Sequence, residues 1–144
     1  MFSKPCEYAF RATTLIAAAS AAGERLSLDA IAERTDSPKA FTAKVLQQLA
    51  KAGILASNKG PKGGFDLPPY AAKKLKLSHI VKALDDDTVY RGCGMGLKEC
   101  NALKPCPLHD HFERIREDLR TMLENTTIHS LIVGLEDGAT FLKR

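Results

Sequence analysis

The sequence predicts a mainly α-helical fold carrying one small β-hairpin, and three observations predict it. Apolar residues recur at helical spacing through most of the 144-residue chain. One turn rich in glycine and proline, Lys59-Gly60-Pro61-Lys62-Gly63, separates two short segments of strand character. A long amphipathic stripe reappears near the C-terminus, from Leu108 to Asn125.

The first helix is expected from Pro5 to Ala22, with Tyr8, Ala12, Leu15, Ile16 and Ala19 on one face. Proline is tolerated in a first turn, and Gly23 is a suitable stop. Ser27 reads as the N-cap of a short helix, Leu28 to Arg34, with Ile31 turned inward. Asp36-Ser37-Pro38 restarts the chain as a capping serine followed by proline at the first helical position. The helix it opens carries Phe41, Val45, Leu46 and Leu49 at core spacing and ends at Ala52-Gly53. Two helices joined by a tight turn fit a helix-turn-helix, but also any small helical bundle. The next segment separates the readings. Ile54 to Asn58 and Gly64 to Leu67 are strand candidates, and the turn between them is basic. A helix-turn-helix followed by a basic hairpin is a winged helix-turn-helix.

Pro68-Pro69 breaks the chain, and Leu77, Ile80, Val81 and Leu84 mark another helix running into Asp85-Asp86-Asp87. Residues 88–107 show no period and hold Cys93, Cys100 and Cys106 with three glycines and two prolines. A loop of that length in a small domain needs a reason, such as a metal site. In the long helix that follows, Phe112, Ile115, Leu119, Met122 and Leu123 are expected along one stripe. A last short helix begins near Thr127. The predicted organisation is 1–86 as the winged helix, 87–107 as a cysteine-bearing loop, and 108–144 as a dimerisation helix and C-terminal segment.

Charge distribution points the first part toward nucleic acid. The net charge is only +4, but residues 1–86 hold 13 Lys/Arg against 8 Asp/Glu, whereas residues 87–144 hold 8 against 9. Residues 37–65 contain Lys39, Lys44, Lys51, Lys59 and Lys62 and no acid. Such a basic face suits DNA phosphates. No run of 18 apolar residues is present and the N-terminus lacks a signal-peptide pattern, so a cytoplasmic chain without a membrane partner is expected. Thiols there stay reduced, which turns clustered cysteines toward metal or redox chemistry.

Cys93-x6-Cys100-x5-Cys106 supplies three thiolates, ligands that select Zn, Cu(I) or iron–sulfur clusters. The paired Cys-x2–4-Cys spacing of structural zinc is missing, and Cys106-Pro107 is similar to the Cys-Pro step of ferredoxin loops. Cys6, alone in the first helix, reads as a small buried hydrophobe. A Cys-x-x-Cys redox pair, a Gly-rich nucleotide loop and a Ser/His/Asp constellation are all lacking, so the chain is not expected to be an enzyme.

On these residues the chain resembles the BadM/IscR/NsrR family of winged-helix transcriptional regulators, over nearly its whole length. The carriers are Tyr8-Ala9, the run Leu46-Gln47-Gln48-Leu49-Ala50-Lys51-Ala52-Gly53-Ile54-Leu55, the wing Lys59-Gly60-Pro61-Lys62-Gly63-Gly64-Phe65, and the cysteine loop ahead of the long helix. Family members often read Arg-Gly-Pro-Gly-Gly-Gly-Tyr in the wing, so Lys59, Lys62 and Phe65 are departures. The resemblance implies a homodimer with crossed long helices on a pseudo-palindromic double-stranded DNA operator. The recognition helix would offer Pro38, Lys39, Phe41 and Lys44 to the major groove, and Lys59, Gly60, Pro61, Lys62 and Gly63 would approach the minor groove. Phe41 reads equally as a core aromatic. The resemblance also implies an iron–sulfur cluster, 2Fe–2S or 4Fe–4S, on Cys93, Cys100 and Cys106. Its fourth ligand would be His109, as in the IscR-like branch, or Glu7 reaching over from the partner subunit, as in the NsrR-like branch. Nitric oxide, redox or iron–sulfur status would then control a repressor. The alternatives are a zinc- or partner-controlled factor, or a small iron–sulfur redox protein.

Overall fold

The computed structural model describes residues 1–84 and 86–143. Asp85 of the predicted acidic run lies outside them. The elements are α1 (Lys4–Ala21), α2 (Leu28–Arg34), α3 (Lys39–Lys51), β1 (Ala56–Asn58), β2 (Gly64–Asp66), α4 (Pro69–Ala72), α5 (Leu77–Ala83), α6 (Thr88–Arg91), α7 (His109–Asn125) and α8 (Ile128–Glu136).

Helix α1 is the axle of the fold. Ser3 caps it by accepting from the Cys6 backbone N–H, with Pro5 in its first turn. Its buried face is built on small residues, Ala9, Ala12, Ala17 and Ala19, around Leu15 and Ile16, which lets neighbouring helices approach closely. Helix α3 packs on it through Val45, Leu46 and Leu49, α5 through Ile80 and Val81, and α8 through Ile128 and Ile132. Leu123 of α7 joins the same core. The C-terminal segment therefore shares its apolar interior with the N-terminal helix.

The turn between α2 and α3 differs from the expectation. Helix α3 begins at Lys39, with Pro38 as an N-cap that offers no side-chain hydrogen bond. Ser37 is drawn instead into a hydroxyl chain, 2.9 Å from Thr35 Oγ1 and 2.6 Å from Thr42 Oγ1. Asp36 stands at φ 50° and makes the sharp corner. Buried hydroxyls satisfied by one another fix the angle of the two helices better than a free cap would.

In the wing, β1 and β2 pair antiparallel with Ser57 opposite Phe65. Leu26, just before α2, makes an isolated antiparallel bridge to Phe65, with bonds of 2.8 and 3.3 Å. Asp66 anchors the hairpin base, accepting from Arg25 Nε at 2.9 Å and Asn58 Nδ2 at 3.3 Å. Gly63 and Gly64 are required sterically: a Cβ there would collide with the carbonyls of Asn58 and Leu26.

Two short helices stand where breaks or loop were expected. Pro69 opens α4 instead of ending structure, and α6 occupies 88–91. From Gly92 to Leu108 the chain has no regular helix or strand. The expected single stripe on α7 divides into separate faces. Leu123 is buried in the core, Leu119 packs against the core, and Phe112 covers the backbone of Gly94, whereas Ile115 and Met122 stay exposed. No described helix is long and apolar enough to cross a membrane.

Candidate nucleic-acid interface and metal centre

Helix α3 buries Thr42, Val45, Leu46 and Leu49 and turns Ala40, Lys44, Gln47 and Lys51 outward. Gln47, which the sequence reading did not single out, shares the Lys44 stripe, and its amide is a donor–acceptor pair suited to base edges. Its position one turn beyond Lys44 was the available signal. Pro38 is exposed at the helix entrance. Lys39 pairs with Asp29 at 2.6 Å, both largely in solvent, so the pair holds the lysine weakly. Phe41 is half-buried and meets Tyr8 edge to face, ring centroids 5.2 Å apart. Arg11 lies over the Tyr8 ring and donates to the Thr35 carbonyl at 2.8 Å. Phe41 thus packs between α1 and α3 while keeping a partly exposed edge. At the wing tip Lys59, Gly60, Pro61 and Lys62 are exposed and Gly63 is half-buried, with Gly60 at φ 97°.

The cysteine loop folds back so that its donors meet in pairs. Cys93 and Cys106 bring their Sγ atoms to 3.9 Å, and Cys100 Sγ lies 3.4 Å from His109 Nδ1. Two ligands on one tetrahedral metal, at metal–sulfur lengths of about 2.3 Å, stand roughly 3.8 Å apart. Each pair therefore fits one metal. The four donors do not converge on a single ion. Among the described residues the one trio of ligand atoms within 4.8 Å of one another is His109, Asp110 and Glu113. The Cys93–Cys106 and Cys100–His109 contacts thus stand as two separate pairs.

Local chemistry prepares these donors. Backbone N–H groups of Met95 and Leu97, with lesser help from Cys106 and Gly96, hold the Cys93 thiol below its ordinary range, so a thiolate is favoured there. Gly96 makes the tight turn at φ 74° and donates to the Cys93 carbonyl. His109 is buried at the start of α7, its N–H on the Cys106 carbonyl at 3.0 Å. A cavity of about 480 Å³ opens on Cys100 and His109, walled also by Tyr90, Lys98 and Arg116.

The other predicted candidates lie elsewhere. Glu7 is held by Lys4 at 2.8 Å, and that hydrogen bond lowers its carboxyl. No contact among the described residues joins Glu7 to the cysteine loop of its own chain. His79 accepts from the Lys76 N–H at 3.1 Å as a helix cap, and His111 contacts Arg114. Cys6 is fully buried, and burial together with the neighbouring Asp86 pushes its thiol up to about 12. Asp86 is itself anchored by the Ser3 N–H and hydroxyl at 3.0 and 2.8 Å. In native metal-free protein at pH 8, iodoacetamide should label Cys93 while leaving Cys6 untouched, read by peptide mass spectrometry. Equal labelling of both would contradict a lowered Cys93 thiol beside a raised Cys6 thiol.

A family profile described as Rrf2, iron-dependent transcriptional regulator, matches residues 2–134. The chain belongs to the Rrf2 family. A helix-turn-helix regulator of Aquifex aeolicus is 32% identical over 109 residues, covering 74% of this chain and 75% of its own. The regulator IscR of Erwinia tasmaniensis is 27% identical over 106 residues, 74% of this chain and 63% of that protein. Among solved structures, T. potens IscR superposes with a TM-score of 0.72 at 18% identity, over 97% of this chain and 91% of that one. CymR, the global cysteine regulator of B. subtilis, gives 0.70 at 18% identity, over 92% and 96%. This Rrf2-family chain is a transcriptional regulator with a DNA-binding winged helix, and it is not an enzyme.

Proposed function

We propose that this Rrf2-family regulator is a cytoplasmic homodimeric repressor whose grip on a pseudo-palindromic operator is set by an iron–sulfur cluster on Cys93, Cys100, Cys106 and His109. The observation that carries the reading is the pairing of the four donors, Cys93 with Cys106 and Cys100 with His109. Two pairs suit a binuclear 2Fe–2S core better than a lone zinc ion. His109 is preferred to Glu7 of the partner subunit because it already stands beside Cys100. When bound, the cluster supplies an iron core open to oxidant, nitric oxide or iron shortage at its non-thiolate corner. The chain's own residues do the rest: the Met95 and Leu97 amides lower the Cys93 thiol toward ionisation, and Phe112 packs the loop onto α7.

The three parts then have separate tasks. Residues 1–86 hold DNA, 87–107 carry the input, and 108–144 join two copies. Leu108, Ile115 and Met122 are 41%, 53% and 44% exposed and stand seven residues apart, a heptad seam left about half uncovered by the described residues. Two copies meeting there would set the spacing of the two recognition helices.

On DNA, Lys44 and Gln47 face bases or phosphates in the major groove, with Pro38, Lys39 and Phe41 at its edge. Lys59 and Lys62 flank a wing tip whose Gly60, Pro61 and Gly63 permit close backbone approach to the minor groove. Changing Lys59 and Lys62 together to alanine should weaken binding to all sequences alike. The slope of log affinity against log salt should fall by about 1 for each lysine. An unchanged slope would remove the wing from the interface.

Anaerobic reconstitution with iron and sulfide tests the cluster reading. The expected product is coloured, with two iron and two sulfide per chain if the donor pairs each take one iron. His109→Ala should destabilise it strongly, whereas Glu7→Gln should not. A colourless zinc-loaded protein would overturn the reading and leave DNA binding intact.

A further inference from the structure

We propose that Arg116 is the positioning residue that ties the cysteine loop to the long helix and tunes whatever the loop binds. One face of α7 grips the loop, through residues three or four apart. His109 meets Cys100, Phe112 covers Gly94, and Arg120 stacks on Tyr90 of α6, its guanidinium 5.4 Å from the ring centre. Arg116 does something the others do not, because it joins two points of the loop at once. Nη2 donates to Cys100 Sγ at 3.2 Å, and Nη1 donates to the Gly92 carbonyl at 2.9 Å. Gly92 opens the loop as the C-cap of α6, and Cys100 lies in its middle. The guanidinium thus closes the segment 92–100 onto α7 with two donors in a rigid fork, a geometry that a lysine ammonium does not reproduce.

Two consequences follow. A cation donating to Cys100 favours the more negative state of a cluster ligated there, since hydrogen bonds to ligand sulfurs help set reduction potential. Ile115, the residue before Arg116, stands on the exposed heptad seam. A loop that pulls on Arg116 therefore pulls on the helix at the level of the dimer contact. The first consequence rests on the cluster reading above and the second on the proposed dimer seam; the tether itself rests on neither.

The test compares Arg116→Met, Arg116→Lys and, as a control on the same helix face, Arg120→Met. Amide hydrogen exchange of residues 92–100 is measured in the full-length metal-free protein, and the midpoint potential in the reconstituted one. Arg116→Met should exchange faster than the parent across 92–100. Its potential should move negative, by about 59 mV for each tenfold loss in relative preference for the added electron. Arg116→Lys should fall between the two, keeping the charge but losing the fork. Arg120→Met should leave the potential unchanged. Parental exchange and potential in Arg116→Met would overturn the proposal, as would an equal shift in Arg120→Met, which would mark a general loosening of α7. If the parent protein takes up no cluster, the cluster reading fails, and the exchange of 92–100 alone decides the tether.

Discussion

Ile115→Glu should convert the proposed dimer into monomers and weaken operator binding by on the order of 100-fold or more. Two linked heads gain roughly 100- to 10,000-fold in avidity over one. Across a two-fold seam the same residue appears in both copies, so one substitution introduces two carboxylates that cannot both stay buried unpaired. Within one chain Ile115 is 53% exposed, so the monomer should keep its fold and most of its thermal stability. Sedimentation velocity and fluorescence anisotropy on a full operator read the two effects separately. A variant that stays dimeric with parental affinity would place the seam elsewhere on the molecule.

Cys106→Ala should abolish assembly of the proposed cluster while leaving a folded chain. Its side chain is only half-buried, so little packing is lost, and the His109 N–H still has the residue 106 carbonyl to bond. What disappears is the partner of Cys93, and with it one of the two donor pairs. The comparison variant is Cys6→Ala, which removes a buried thiol far from ionisation and should remain coloured after reconstitution. Loss of colour in both variants would point to misfolding instead of ligation.

Much of the winged helix was legible because its signals are local. Ser27 caps α2 as read, the Lys-Gly-Pro-Lys-Gly turn joins the two strands, and Leu46 and Leu49 are core residues. What sequence could not give was set by partners distant along the chain. Ser37 carries the chemistry of a cap, but Thr35 and Thr42 compete for its hydroxyl and win. Leu26 bridges to the wing only because Phe65 comes to meet it. The α7 stripe looked continuous because periodicity records spacing and not which neighbour arrives; the loop took Phe112 and left Ile115 uncovered. At the candidate metal centre the cysteines and His109 were evident as donors, while their division into two pairs, and the Arg116 fork across them, emerged only in three dimensions.

On this reading the DNA grip is conditional on the loop. Its most direct test is anaerobic anisotropy with one operator, comparing reconstituted protein, the same sample stripped of metal, and Cys106→Ala. Coupling of about 1.4 kcal/mol corresponds to a tenfold change in affinity. At least that difference is expected between loaded and stripped protein, with Cys106→Ala matching the stripped form whether or not iron and sulfide are supplied. Equal affinities for all three, on every operator tried, would contradict it and leave a winged helix that does not answer to its cysteines.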